Sequence, residues 1–208
     1  SCTISTAMGY IRTSSGNYST AMCSSTTASG LFSTAMGEST AAKSGYETAL
    51  GRWNADYTPI STTGWDPSDR LFSIGNGTGT GASSSDAMTV LKNGNIGIGN
   101  SAPAFPLSFT PAVGDKISLW SNSTNSYGFG IQSGLLQIHT DISASDIAFG
   151  YGSSSAFTEA MRIKGNGNVG IGTNNPLELL HVNGVSLFTP GGSNIQILAG
   201  NKIQAYIN

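Results

Sequence analysis

The chain has 208 residues, of which 10% are charged and 38% hydrophobic, with 28 glycines; ordinary globular proteins carry roughly 25% charge. A single large core is therefore not expected, because strands this small need repetition or oligomerisation to bury enough surface. The net charge of −2 leaves no basic patch for nucleic acid or an anionic membrane, and no apolar run approaches the ~20 residues of a membrane span or forms a signal peptide.

Taken from the start, one short phrase returns four times: Ser5-Thr-Ala-Met-Gly9, Ser19-Thr-Ala-Met-Cys23, Ser33-Thr-Ala-Met-Gly37 and Glu47-Thr-Ala-Leu-Gly51. The step is 14 residues, and it is kept by Ala7, Ala21, Ala35 and Ala49, by Met8, Met22, Met36 and Leu50, and by Tyr18, Phe32 and Tyr46. Repetition at a fixed period marks stacked units that pack on their neighbours. The phrase is too short and too rich in Ser and Thr for a helix, and alternation puts Tyr18, Thr20 and Met22 on one strand face with Ser19 and Ala21 on the other. Half a period on come Thr13-Ser-Ser-Gly16 and Thr27-Ala-Ser-Gly30. Two short strands and two glycine corners thus make one coil of a β-roll, with coils about 4.8 Å apart. Gly45 follows Gly37 by 8 residues, one more than the usual half-step, and this predicts that the array begins to end there. The chain begins inside a repeat phrase, so it is expected to be part of a longer one.

The run TASGLFSTAMGESTAAKSGYETALG, within residues 3–51, resembles the head repeats of trimeric autotransporter adhesins of the YadA type. That resemblance implies a left-handed β-roll in a homotrimer on a stalk. Cys23 departs from it by standing where a corner glycine belongs, so this corner must avoid or tolerate positive φ. Cys2 and Cys23 lie one and a half coils apart, on opposite sides of the roll, which argues against a disulfide within one chain; they fit no metal or redox motif.

Residues 52–70 change character, with Trp53, Tyr57 and Trp65 set among Pro59, Pro67 and polar turn formers. An ordered connector is predicted, which the adhesin resemblance would make a neck. From Leu71 a new unit begins: a strand at Leu71–Gly75, a glycine loop, a strand at Ala87–Lys92, and an Asn93-Gly94 hairpin turn into Asn95–Gly99. The hairpin returns 73 residues later, where Asn166-Gly-Asn-Val-Gly-Ile-Gly172 repeats Asn93-Gly-Asn-Ile-Gly-Ile-Gly99. Between the copies, Lys116–Trp120, Tyr127–Ile131, Leu135–His139 and Asp146–Gly150 read as strands. After Pro176, where one helical turn to Leu180 is the most the pattern allows, strands are predicted near 179–183, 185–188, 194–198 and 202–206. Residues 71–184, with GNVGIGTNNPLELLHVNG, are similar to the shaft and pre-chaperone regions of bacteriophage tail fibres, a motif that often precedes a self-cleaving chaperone.

Chemistry is sparse. The glycine loop Gly75–Gly81 lacks the lysine and the following helix of a phosphate-binding loop, so a mobile hairpin loop is the better reading. His139 and Asp141 on one strand face are weak metal candidates, and a polar strand face is the plainer account. His181 is expected to be half-buried. Asp66, Asp69 and Asp86 lie near turns, and no nucleophile motif is recognisable. Tyr18, Phe32 and Tyr46 offer either a sugar-stacking strip or a packing ladder in or beside the roll's thin core, the second being favoured. Trp53, Tyr57 and Trp65 are the better candidates for exposed contact, weighed against packing between chains. Stacked Ser and Thr faces also invite an ice-binding reading, which the placement of Thr20 on the Met face weakens.

The expectation is an all-β, elongated homotrimer: a roll over 1–53, a connector over 54–70, hairpin-ended modules over 71–103 and 104–176, and a β segment over 177–208. The expected function is extracellular attachment to a receptor or glycan, as a tail-fibre-like or adhesin fibre joined to other fibre components, with no cofactor and no membrane insertion. The alternatives are a glycan-degrading spike enzyme and a purely structural filament.

Overall fold

A computed structural model describes residues 4–122 and 125–185. The chain divides into two units, Ser1–Ala112 and Val113–Asn208. All regular structure among the described residues is β apart from one 3-10 turn, Gly81–Ser83.

In the first unit the long strands β1 (Thr6–Tyr10), β3 (Thr20–Ser24), β5 (Thr34–Glu38) and β7 (Thr48–Arg52) alternate with the short strands β2 (Thr13–Ser14), β4 (Thr27–Ala28) and β6 (Ala41–Ala42). Long pairs with long and short with short, all in parallel and in the 14-residue register: Ala7 to Ala21 to Ala35 to Ala49, and Thr13 to Thr27 to Ala41. These are the stacked coils of a β-solenoid.

The core is the smallest column. Ala21, Ala35 and Ala49 from the long strands meet Ala28 and Ala42 from the short ones, all fully buried. Ser19, Ser33, Thr26 and Thr40 are buried beside them. A 14-residue coil leaves room for little beyond Cβ atoms between its two sheets, and a larger side chain would overpack it. The Met column therefore lies on the outer face, with Met22, Met36 and Leu50 half-buried. Thr20 and Thr34 share that face, so the Thr column points outward rather than being lost to a Met-lined interior.

Coil corners fit only glycine comfortably. A Cβ on Gly37, whose φ is +119°, would lie 2.0 Å from the carbonyl oxygen of Gly51 in the next coil. Cys23 occupies the equivalent corner at φ +82°, so this corner tolerates positive φ rather than avoiding it; Cys23 is exposed, and Cys2 lies outside the described residues.

The array begins to end at the irregular half-step before Gly45: the short sheet stops at β6, while the long sheet goes on. Gly45 aligns with Leu31, and Ser44 simply takes the corner place of Gly30, so Thr34 still pairs with Thr48. One more rung follows: β8 (Arg70–Asn76) adds in parallel to β7, with Ala49 beside Ser73 and Gly51 beside Gly75. The connector is looped out between them. β8 then runs antiparallel to β9 (Asp86–Leu91), β9 antiparallel to β10 (Ile96–Ile98), and β10 parallel to β11 (Leu107–Phe109). Roll and first module thus share one eight-stranded sheet, which β11 closes ahead of the division of the chain after Ala112. The glycine loop packs on the end of the roll, with Gly77 and Ser85 N–H donating to the carbonyls of Arg52 and Trp53.

The second unit holds a meander of β12 (Gly114–Ser121), β13 (Ser126–Gln132) and β14 (Leu135–His139). A four-stranded sheet follows, of β15 (Ile147–Ser153), β16 (Ala156–Ile163), β17 (Val169–Ile171) and β18 (Leu180–Val182). The 73-residue repeat is kept to the hydrogen bond. Asn95 and Asn168 N–H donate to Asn93 and Asn166 Oδ1, and Asn95 and Asn168 Nδ2 donate to the carbonyls of Pro103 and Pro176. Both copies end in a parallel strand, β11 or β18. Residues 177–179 form bends, not the helical turn the pattern allowed. The strands predicted near 194–198 and 202–206, and most of 185–188, lie outside the described residues.

Candidate functional site

Where the roll ends, the connector supplies what a further coil would have supplied. Ser15 and Gly16 N–H donate to the carbonyl of Ala28, and Ser29 and Gly30 N–H to that of Ala42. In the last coil the equivalent donors, Lys43 and Ser44 N–H, meet Glu47 Oε2 at 2.7 and 2.9 Å. Glu47 stands in the Ser19–Ser33 column, and its longer side chain turns back to close the coil. Its Oε2 also accepts the Tyr57 hydroxyl at 2.9 Å, while Oε1 is buried without a donor. Burial raises the Glu47 carboxyl above its usual range, against the opposing effect of these donors and of Arg70. Burial, and then the Glu47 charge, raise the Tyr57 phenol.

Around this point sits a buried set of charges. Arg70, 2% exposed, donates from Nη1 to the Ala55 carbonyl at 2.5 Å, reaches Asp86 at 3.4 Å, and lies over the Tyr57 ring at 4.2 Å. Asp86 accepts Ala55 N–H and the Thr89 hydroxyl, and burial raises its carboxyl. Asp69 accepts Ile60 and Ser61 N–H at 2.7 and 2.9 Å and faces Lys92 at 3.9 Å; burial lowers the Lys92 ammonium. Buried pairs like these add little net stability, but removing one partner leaves the other charge buried and uncompensated. Along the chain Asp69 and Asp86 read only as turn formers, because Lys92 and Ala55, which they meet, lie 23 and 31 residues away. Glu47 replacing Ser in a buried column was the available signal.

The aromatic residues separate into two groups. Tyr18, Phe32 and Tyr46 stack ring on ring, with centroids 5.0 and 5.4 Å apart, and Trp65 extends the ladder at 6.1 Å from Tyr46. Their faces are turned to one another, so the half-exposed strip presents ring edges, whereas a sugar stacks on ring faces. The three ladder residues sit at positive φ, 56°, 56° and 66°; they belong to the corners, so strand alternation does not reach them. Trp65 is 56% exposed, with Lys92 Nζ 5.6 Å from its ring. Trp53 and Tyr57 are half-buried, and Trp53 Nε1 has no acceptor.

Beside the connector lies an open groove of about 570 Å³, lined by Tyr57, Ser68, Arg70, Leu91, Asn93 and Asn95 among others. In the second unit His139 ends β14 and Asp141 lies beyond it in a bend, so the two do not share a strand face. His139 Nε2 is 3.4 Å from Asp115, and Asp141 accepts the Ser145 hydroxyl at 2.7 Å. Among the described residues no group of three or more His, Cys, Asp or Glu is placed to hold a metal. His181, half-buried in β18, accepts Leu177 N–H at Nδ1. Arg162 in β16 is held between Glu159 and Asp146. No protein-family model matches the chain, and no curated protein matches it.

Proposed function

We propose that this protein is a homotrimeric, extracellular attachment fibre, of tail-fibre or adhesin type, that binds a cell-surface receptor or glycan without turnover. The observation that carries the assembly is that the described residues of the second unit form no apolar core. Every buried residue of the hydrophobic core, Ala21 through Leu91, belongs to the first unit. In the second, Leu119, Leu136 and Tyr151 stand between 68% and 72% exposed on well-formed strands. Small sheets need an apolar face packed on something to persist in water, and exposed apolar patches of this kind mark interfaces. Copies of the same chain around one axis supply that cover, and a threefold arrangement also sets the roll's outer Met and Thr face against neighbours. Supporting attachment are the repeat architecture, the low charge, and the resemblances of residues 3–51 and 71–184.

The test is solution mass by light scattering across a range of concentrations, followed by binding to a panel of intact bacterial cells. A stable mass of three times 21.3 kDa and saturable cell binding are expected. A compact monomer would overturn the assembly, and a trimer that binds no cells would overturn attachment.

A further inference from the structure

The geometry points to the groove at the connector as a binding site for a short neutral glycan. This deepens the attachment reading and rests on it. The groove, about 570 Å³, is of the size ligand pockets take. Two features give it a chemistry. Tyr57, Ala102 and Ala104 offer apolar surface, and the hairpin places two amides beside them. Asn93 uses Oδ1 for Asn95 N–H, and Asn95 uses Nδ2 for the Pro103 carbonyl. Among the described residues, Asn93 Nδ2 and Asn95 Oδ1, a donor and an acceptor on residues two apart, keep no protein partner. Vicinal sugar hydroxyls, each both donor and acceptor, match such a pair, while the C–H faces of the ring match the apolar wall.

The charges of the wall are already answered. Asp56 pairs with Lys43, and Arg70 with Asp86 and the Tyr57 ring, so no free charge selects an acidic ligand. The second hairpin, Asn166–Asn168, repeats the amides, but the chain before it carries the β12–β14 meander in place of the connector. It is the internal control.

The experiment uses the full chain and ligand-observed NMR with chitotriose, cellotriose, maltotriose and 3′-sialyllactose, beside the cell-binding assay. Variants are Asn93→Ala, Ala102→Trp at the exposed rim, and Asn166→Ala. Each is checked by its Tm. Binding of a neutral trisaccharide, weakened about ten-fold or more by Asn93→Ala and Ala102→Trp and untouched by Asn166→Ala, is the expected result. Neutral-glycan binding that ignores both groove variants overturns the site and leaves attachment standing. So does cell binding with no neutral trisaccharide bound, or with sialyllactose alone bound. Loss of both cell and glycan binding in the folded wild type overturns attachment together with the site.

Discussion

The side-chain amide of Asn54 pairs with the backbone of Ala41 on both its edges: Oδ1 accepts Ala41 N–H at 2.7 Å, and Nδ2 donates to the Ala41 carbonyl at 3.0 Å. In the coils above, Thr13 and Thr27 N–H donate to the carbonyls of Thr26 and Thr40. Asn54 stands 14 residues after Thr40, so one side chain takes over where the next coil's peptide would have been. With Glu47 it closes the short sheet, whose last strand would otherwise leave buried polar groups unpaired.

Asn54→Ala removes both bonds and leaves Ala41 N–H without an acceptor, a loss of about 2–3 kcal/mol. Urea denaturation at fixed protein concentration is expected to show a lower midpoint with an unchanged slope. A midpoint equal to wild type would show that water replaces the amide.

Glu47 makes stability depend on pH with a defined sign. Its folded pKa is raised, so the folded state binds the proton more tightly, and stability falls as pH rises from about 4.5 towards the raised value. Asp86, also raised by burial, acts in the same direction from its lower starting point. Glu47→Gln removes the Glu47 share. The Tm of the variant is expected to gain on wild type as pH rises above about 4.5. A pH-independent difference would sink this account.

Phe32 stacks on Tyr18 and on Tyr46. Phe32→Ala breaks both contacts, costing about 1–3 kcal/mol, and is expected to reduce the near-ultraviolet circular dichroism of the tyrosines. Phe32→Tyr keeps the stack and is expected to match wild type in both measurements. An unaltered spectrum in the alanine variant would mean that the ladder is not coupled in solution.

The corner column gives a paired test. Cys23→Gly relieves a non-glycine residue at φ +82° and is expected to stabilise by about 1 kcal/mol. Gly37→Ala puts a Cβ against the Gly51 carbonyl and is expected to destabilise by several times that. Thermal unfolding of the two variants side by side reads both signs, and a destabilised Cys23→Gly protein would contradict the corner strain.

The sequence by itself determined the period, the columns and the internal repeat. Parallel stacking puts like over like, so a 14-residue step is already the register of β1, β3, β5 and β7. The 73-residue repeat likewise carries its turn, its Asn hydrogen bonds and its parallel closing strand, because these are local. What alternation cannot state is which face turns inward. Only the closed coil decided that, since its width admits Ala21, Ala35 and Ala49 and sends Met22 and Met36 outside. The same holds for the end of the roll. Glu47, Asn54, Asp69 and Arg70 read as ordinary polar residues along the chain, and they become a cap only when folding brings β8 back onto β7 across the looped-out connector. The groove beside Tyr57 arises there too, from segments some 40 residues apart that the tertiary fold alone places side by side.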